Sequence, residues 1–140
     1  MAIIHSASFR LKTRGFNDVH DLTPKVNEIV QHSALTRGMV NVFVPGSTAG
    51  ITTIEFESGA IEDLKKAIER LVPQDGHYDH NARWGDGNGF SHVRAALIGP
   101  SLTIPFSNKE LQLGTWQQIV LVDFDNRPRT RKVQVQIVGE

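Results

Sequence analysis

The chain contains no cysteine. Disulfides, thiolate zinc sites and cysteine nucleophiles are therefore excluded, and any metal must be held by His, Asp or Glu. Net charge is also missing, because 15 Lys and Arg balance 15 Asp and Glu. No bulk field draws nucleic acid or a membrane surface, so an anionic partner must be met by a local basic cluster. No apolar run approaches the ~18 residues of a membrane span. The opening MAIIHSASFRLK lacks the basic start and apolar middle of a signal peptide. There is no internal repeat, low-complexity tract or Pro/Ser-rich linker to mark a boundary. What is present, 140 residues of which 39% are hydrophobic, suits one domain with a core of its own. The expectation is a single-domain cytoplasmic protein with no nucleic-acid or membrane partner.

Residues 3 to 12 alternate, with Ile3, His5, Ala7, Phe9 and Leu11 on one side, which is the period of a half-buried strand. DLTPKVNEIVQHSAL spaces Leu22, Val26, Ile29 and Val30 as an amphipathic helix, with Thr23 placed to cap it and Pro24 suited to its first turn. MVNVFV and ITTIEFE, rich in β-branched and aromatic residues, predict strands at 39–44 and 51–57. A second helix is predicted over about 60 to 72, with Ile61, Leu64, Ile68 and Leu71 on one stripe and Pro73 stopping it. SHVRAALIG, SLTIPF, QQIVLVDF and RKVQVQIVG read as four further strands. IVLV is apolar on both sides and belongs in the centre of a sheet, whereas RKVQVQIVG alternates and should turn one face to water or to another subunit. The predicted class is α+β: one mixed, largely antiparallel sheet with two amphipathic helices in a single domain. So few helices leave much of one sheet face uncovered, a state that oligomerisation relieves.

Between the second helix and the next strand runs HYDHNARWGDGNGFSH, residues 77 to 92, with three histidines and three glycines in sixteen positions. A structureless run of that length inside a compact domain is expected only where it is functional or disordered, and Tyr78, Trp84 and Phe90 speak against disorder because aromatics need something to pack on. His77, His80 and His92 offer nitrogens to a late transition metal, with Asp75, Asp79 and Asp86 available to complete the shell or to orient the rings from behind it. They serve equally for general acid or base chemistry, or for structural hydrogen bonding alone. GSTAG, residues 46 to 50, offers backbone amides and the Ser47 and Thr48 hydroxyls to a phosphate, or is a plain tight turn. DFDNRPRTRK gathers Arg127, Arg129 and Arg131, whose forks suit phosphate; the plainer reading pairs them with Asp123 and Asp125 at a hairpin tip. No G-x-S-x-G elbow is present, and Ser47 has no evident base.

Taken together, YDHNARWGDGNGFSHVRAALIGPSLTIPF, LGTWQQIVLVDFDNRPR and the terminal VQIVGE resemble the YjbQ-like family, described as a secondary thiamine-phosphate synthase. The resemblance implies an α+β homotrimer with clefts where subunits meet. It implies an activity that couples a hydroxymethylpyrimidine diphosphate to a thiazole phosphate with release of pyrophosphate, as a selected role or a side activity. The matching residues are His80, Asn88, His92, Glu55, Thr48, Trp116 and Arg129, with His80, His92 and Glu55 as the catalytic set. Ser47, Thr48, Asn88, Trp116, Arg127 and Arg129 are then the substrate-binding set, and His80, His92 and Asp86 the ligands of a divalent cation, magnesium or zinc. Many members carry a histidine before the small hydroxyl-bearing segment, where this chain has Gly46, so that either His77 or Asp86 takes its place or no metal is held. Two other classes stay open: a non-catalytic trimeric protein that binds a phosphorylated small molecule, and a metal-dependent hydrolase.

Overall fold

The computed structural model describes residues 1–140. Its elements in chain order are β1 (Ile3–Thr13), β2 (Asp18–Asp21), α1 (Thr23–His32), β3 (Arg37–Phe43), β4 (Ala49–Ile54), α2 (Ser58–Leu71), α3 (Asp79–Trp84), α4 (Gly89–Ile98), β5 (Ser101–Ser107), β6 (Glu110–Leu111), β7 (Gln118–Asp123) and β8 (Arg129–Gly139). The class is α+β in a single domain. The strands form two sheets, β1-β8-β3-β5-β6 and β2-β7-β4, and every pairing is antiparallel. The single mixed sheet expected from the sequence is thus corrected to two antiparallel ones. Alternation identifies strands but not their partners, so the division could not be read from period alone.

β7 is the hinge of the architecture. Ile119 and Leu121 pack into the large core with Val40, Val42, Val133, Val135 and Ile137 of the five-stranded sheet. Val120 and Val122, with Phe124, face the other way and meet Ile68 of α2 and Ala95 of α4. The small sheet is therefore covered on both sides, and the IVLV run sits between β2 and β4, as its two-sided apolarity predicts. Burying each such side chain stabilises the fold by roughly 1.5–3 kcal/mol. β8 alternates strictly, with Arg131, Val133, Val135, Ile137 and Gly139 buried and the residues between them exposed. The outer face of the large sheet consequently shows Ile4, Met39, Phe43 and Val138 to solvent.

Several local expectations change. There are four helices, not two: residues 91–99, read as a strand, are most of α4, and α3 lies inside the stretch read as a loop. The burial of Phe90, Ser91, Arg94 and Ala95 has helical spacing, but a short apolar run reads either way. Thr23 does not cap α1. Asp21 Oδ1 accepts from the Thr23 amide at 3.0 Å, while the Thr23 hydroxyl accepts from the Ile119 amide at 2.7 Å and ties the helix to β7. β4 ends at Ile54, so Glu55 and Glu57 leave the strand, and the Glu57 carboxylate caps α2 at the amides of Gly59 and Ala60. Leu71, expected in the buried stripe of α2, is 75% exposed at its end. Gly50 permits the close seating of α4 on β4, since a Cβ there would stand 2.8 Å from Ile98 Cγ2.

Candidate functional site

At the Ala49 end of β4 and the Asp123 end of β7, which pair in register, the small sheet runs into the hairpin leading to β8. Asp123 and Asp125 flank Phe124 and are both 0% exposed. A buried carboxylate is tolerable only when it is paired and hydrogen-bonded, and both are. Arg131 donates from Nε and Nη2 to the two oxygens of Asp123, at 2.6 and 2.9 Å, and Nη2 also donates to Thr48 Oγ1 at 2.7 Å. The Thr48 hydroxyl in turn donates to Asp125 Oδ2 at 3.0 Å, where Arg129 Nε arrives at 2.7 Å. Thr13 Oγ1 donates to Asp123 Oδ2 at 2.6 Å, joining β1 to the set. Burial would raise the Asp125 carboxyl, but the hydrogen bonds from Arg129, the Asn126 amide and Thr48, with the Arg129 charge, outweigh it and hold it below the ordinary carboxylate range.

Against this network lies the helical stretch 77 to 92. Asn126 Nδ2 donates to the Asp86 carbonyl at 2.9 Å, fastening the α3–α4 loop to the hairpin. Asn81 Oδ1 accepts from the Gly89 amide at 2.8 Å and fixes the start of α4. Turned so that its nitrogen faces the acid, the Asn88 amide donates to both oxygens of the Asp86 carboxylate, at 3.0 and 3.1 Å. The rings of His80 and His92 stack with centroids 4.4 Å apart and planes tilted by 41°. His80 Nδ1 is 3.2 Å from Asp86 Oδ1, a charge contact outside hydrogen-bond alignment that leaves this nitrogen without a bonded partner. The His92 imidazole is held below its ordinary pKa by burial first and by the His80 charge second, against the pull of Asp86 and Asp125. His92 then opens onto a cleft of about 260 Å³ lined also by Gly46, Ser47, Ala49, Ala95, Ala96 and Pro100.

The structure therefore brings together His80, His92, Asp86, Asn88, Ser47, Thr48 and Arg129, from segments spread over some eighty positions of sequence. It corrects four expectations. Thr48 is buried and its hydroxyl is spent between Asp125 and Arg131, so it is a strut of the site and not a free donor to substrate. Arg127 stays exposed at the hairpin tip, while Arg129 and Arg131 take the carboxylates, as the plainer reading of this segment has it. Glu55 and Trp116 line a separate cleft of about 460 Å³ with Asp21, Phe56 and Gln118, at the far end of β4. Five steps of antiparallel strand put that end roughly 17 Å away. His80, His92 and Asp86 are neighbours but do not converge as a coordination shell, the two imidazoles packing on one another at a tilt of 41°; no group of three or more His, Asp or Glu in the chain is arranged to hold a metal ion. The sequence reading passed over Asp123, Asp125 and Asn126 as site-builders. Two aspartates closing an otherwise apolar strand, IVLVDFD, were the available signal.

A family model described as UPF0047 protein YjbQ-like matches residues 7–140. A UPF0047 protein of Methanothermobacter thermautotrophicus is 36% identical over 137 residues, covering 98% of this chain and 94% of its own, and the YugU protein of Bacillus subtilis is 32% identical, covering 94% and 98%. Among solved structures, a YbjQ-like protein of unknown function from Sulfolobus solfataricus superposes with a TM-score of 0.94 at 30% identity over the whole of both chains. A Clostridium acetobutylicum protein of the YjbQ/UPF0047 family superposes with a TM-score of 0.86 at 36% identity, covering 94% of this chain and 98% of its own. None of these names carries an activity. No helix of the chain is long and apolar enough to cross a membrane.

Proposed function

Because the chain belongs to the UPF0047 YjbQ-like family, we propose that it is a thiamine-phosphate-synthase-like transferase working on phosphorylated small molecules at the His92 cleft. The observation that carries this reading is a cleft lined by Gly46, Ser47 and His92, with His80 stacked on His92 and the buried Asp/Arg network adjoining it through Thr48. In the reaction, the bond between the pyrimidine methylene carbon and the bridging oxygen breaks, and its electron pair leaves with pyrophosphate. The thiazole nitrogen supplies the pair for the new C–N bond and becomes the thiazolium. No enzyme nucleophile is needed, and the main demand is stabilisation of the leaving charge by groups fixed in advance. Arg129, held at Nε by Asp125 and with 35% of its side chain exposed, is such a group, and so are the Ser47 hydroxyl and an N–H of His92.

Glu55 and Trp116 enter this reading through assembly. We propose a homotrimer in which the uncovered outer face of the large sheet is buried and a neighbouring protomer brings its Glu55/Trp116 end toward the His92 cleft, the indole stacking on the pyrimidine. A second reading is a trimeric phosphate-binding protein without catalysis, since the Gly46–Ser47 turn on the cleft wall can hold a phosphate whether or not chemistry follows. The assay of thiamine phosphate formed from the two phosphorylated precursors separates the two. The transferase reading expects product and pyrophosphate in equal amounts; binding of both precursors with no turnover would leave the binding protein.

A further inference from the structure

The Arg131 guanidinium is 8% exposed as a residue, and its hydrogen bonds run only through Nε and Nη2. Asp123 grips it from one side and Thr48 from another, so the plane cannot turn. Nη1 is left over, and it points at Gly46. A Cβ built on Gly46 would stand 3.2 Å from Nη1, tighter than ordinary van der Waals contact, and the φ of +135° is one that side-chain-bearing residues rarely adopt. Glycine at 46 therefore does two things at once: it makes the turn and it leaves the guanidinium edge bare. Gly46 and Ser47 also line the His92 cleft.

We propose that the bare Nη1 edge of Arg131, uncovered by Gly46, is the anchor for a phosphoryl group entering the cleft between Ser47 and His92. The anchor rests on the reading of that cleft as a phosphate-handling site and says where in it the anion is held. An N–H of this fixed nitrogen can donate to one oxygen of a tetrahedral group, and the Ser47 hydroxyl supplies a second donor from the adjoining turn. Asp123 already balances the Arg131 charge, so the edge attracts by its fixed dipole and proximity. Arg131 is in this respect unlike Arg127, which is free to swing at the hairpin tip.

The test uses the 140-residue protein labelled with nitrogen-15 and carbon-13, with inorganic pyrophosphate as the probe. The side-chain N–H signal of Arg131, assigned through its own side-chain carbons, should shift saturably. Affinity should fall roughly ten-fold in Ala96→Glu and rise several-fold in Ala96→Lys, because Ala96 is an exposed helix position on the cleft wall where a charge of either sign adds to the local potential without touching the core. An Arg131 signal unmoved at saturating pyrophosphate, or equal affinity in the two Ala96 variants, overturns the anchor. Neither readout depends on turnover. A protein that shifts at Arg131 and makes no thiamine phosphate keeps the anchor and loses the transferase; one that makes thiamine phosphate with Arg131 unmoved does the reverse.

Discussion

Asp123→Ala is expected to cost about 3–5 kcal/mol of folding stability, because it leaves a buried guanidinium without its hydrogen-bonded carboxylate and with only Asp125 Oδ2, 3.8 Å from Nη2, as a counter-charge. The loss reaches across the molecule. Asp123 accepts from Arg131 twice, from Thr13 Oγ1 and from the Asp125 amide at 3.0 Å, so one carboxylate ties β1, β8 and the hairpin after β7. Asp123→Asn keeps the shape and some of the acceptors and should lose less. Asp86→Ala, whose carboxylate is half exposed, should stay within about 1 kcal/mol of the parent. Urea denaturation of the three variants measures this. Equal midpoints for Asp123→Ala and Asp86→Ala would mean that the buried network does not hold the sheets together at this end.

The second large effect concerns rate. His92→Ala should lower kcat for thiamine-phosphate formation roughly 10²–10³-fold, the usual cost of removing one fixed donor from a developing anion. His92 lies on the partly exposed face of α4 and makes no hydrogen bond that braces the fold, so the melting temperature should barely move. Steady-state rates of the variant, set beside its melting curve, provide the check. A variant as fast as the parent would move the chemistry away from this cleft.

Much of the architecture was legible in the chain because it follows from period. The alternation of RKVQVQIVG reappears as the burial of β8, the two-sided apolarity of IVLV as the central place of β7, and the stripes of α1 and α2 largely where they were expected. SHVRAALIG misled because nine residues that include a short apolar run fit either period, and the packing of Ala95 and Ile98 against Val120, Val122 and Ile54 of β7 and β4 settles them as helical. The candidate site was partly legible for a different reason. Histidines, glycines and hydroxyls announce themselves by type, so His80, His92, Ser47 and Asp86 could be named. Their roles could not, since those depend on which pairings win. Thr48 looked like a donor to substrate and is consumed by Arg131 and Asp125; Glu55 looked catalytic and stands one strand length from His92. Arg131 looked like one of three equivalent arginines until the bond to Asp123 and the glycine beside it set it apart.

A phosphorylated ligand bound in the cleft sits beside His92, and titration of that imidazole reads its presence. In the free protein its proton resonance should report a midpoint below the ordinary 6.5, because burial and His80 disfavour the cation. That shift contributes stability above pH 6.5 which is lost as the pH falls through the folded-state value. A bound phosphate favours the charged ring, so saturating thiamine phosphate should move the midpoint upward, and by linkage its affinity should increase as the pH is lowered. An unchanged midpoint with thiamine phosphate fully bound would place the ligand elsewhere on the protein and contradict the account.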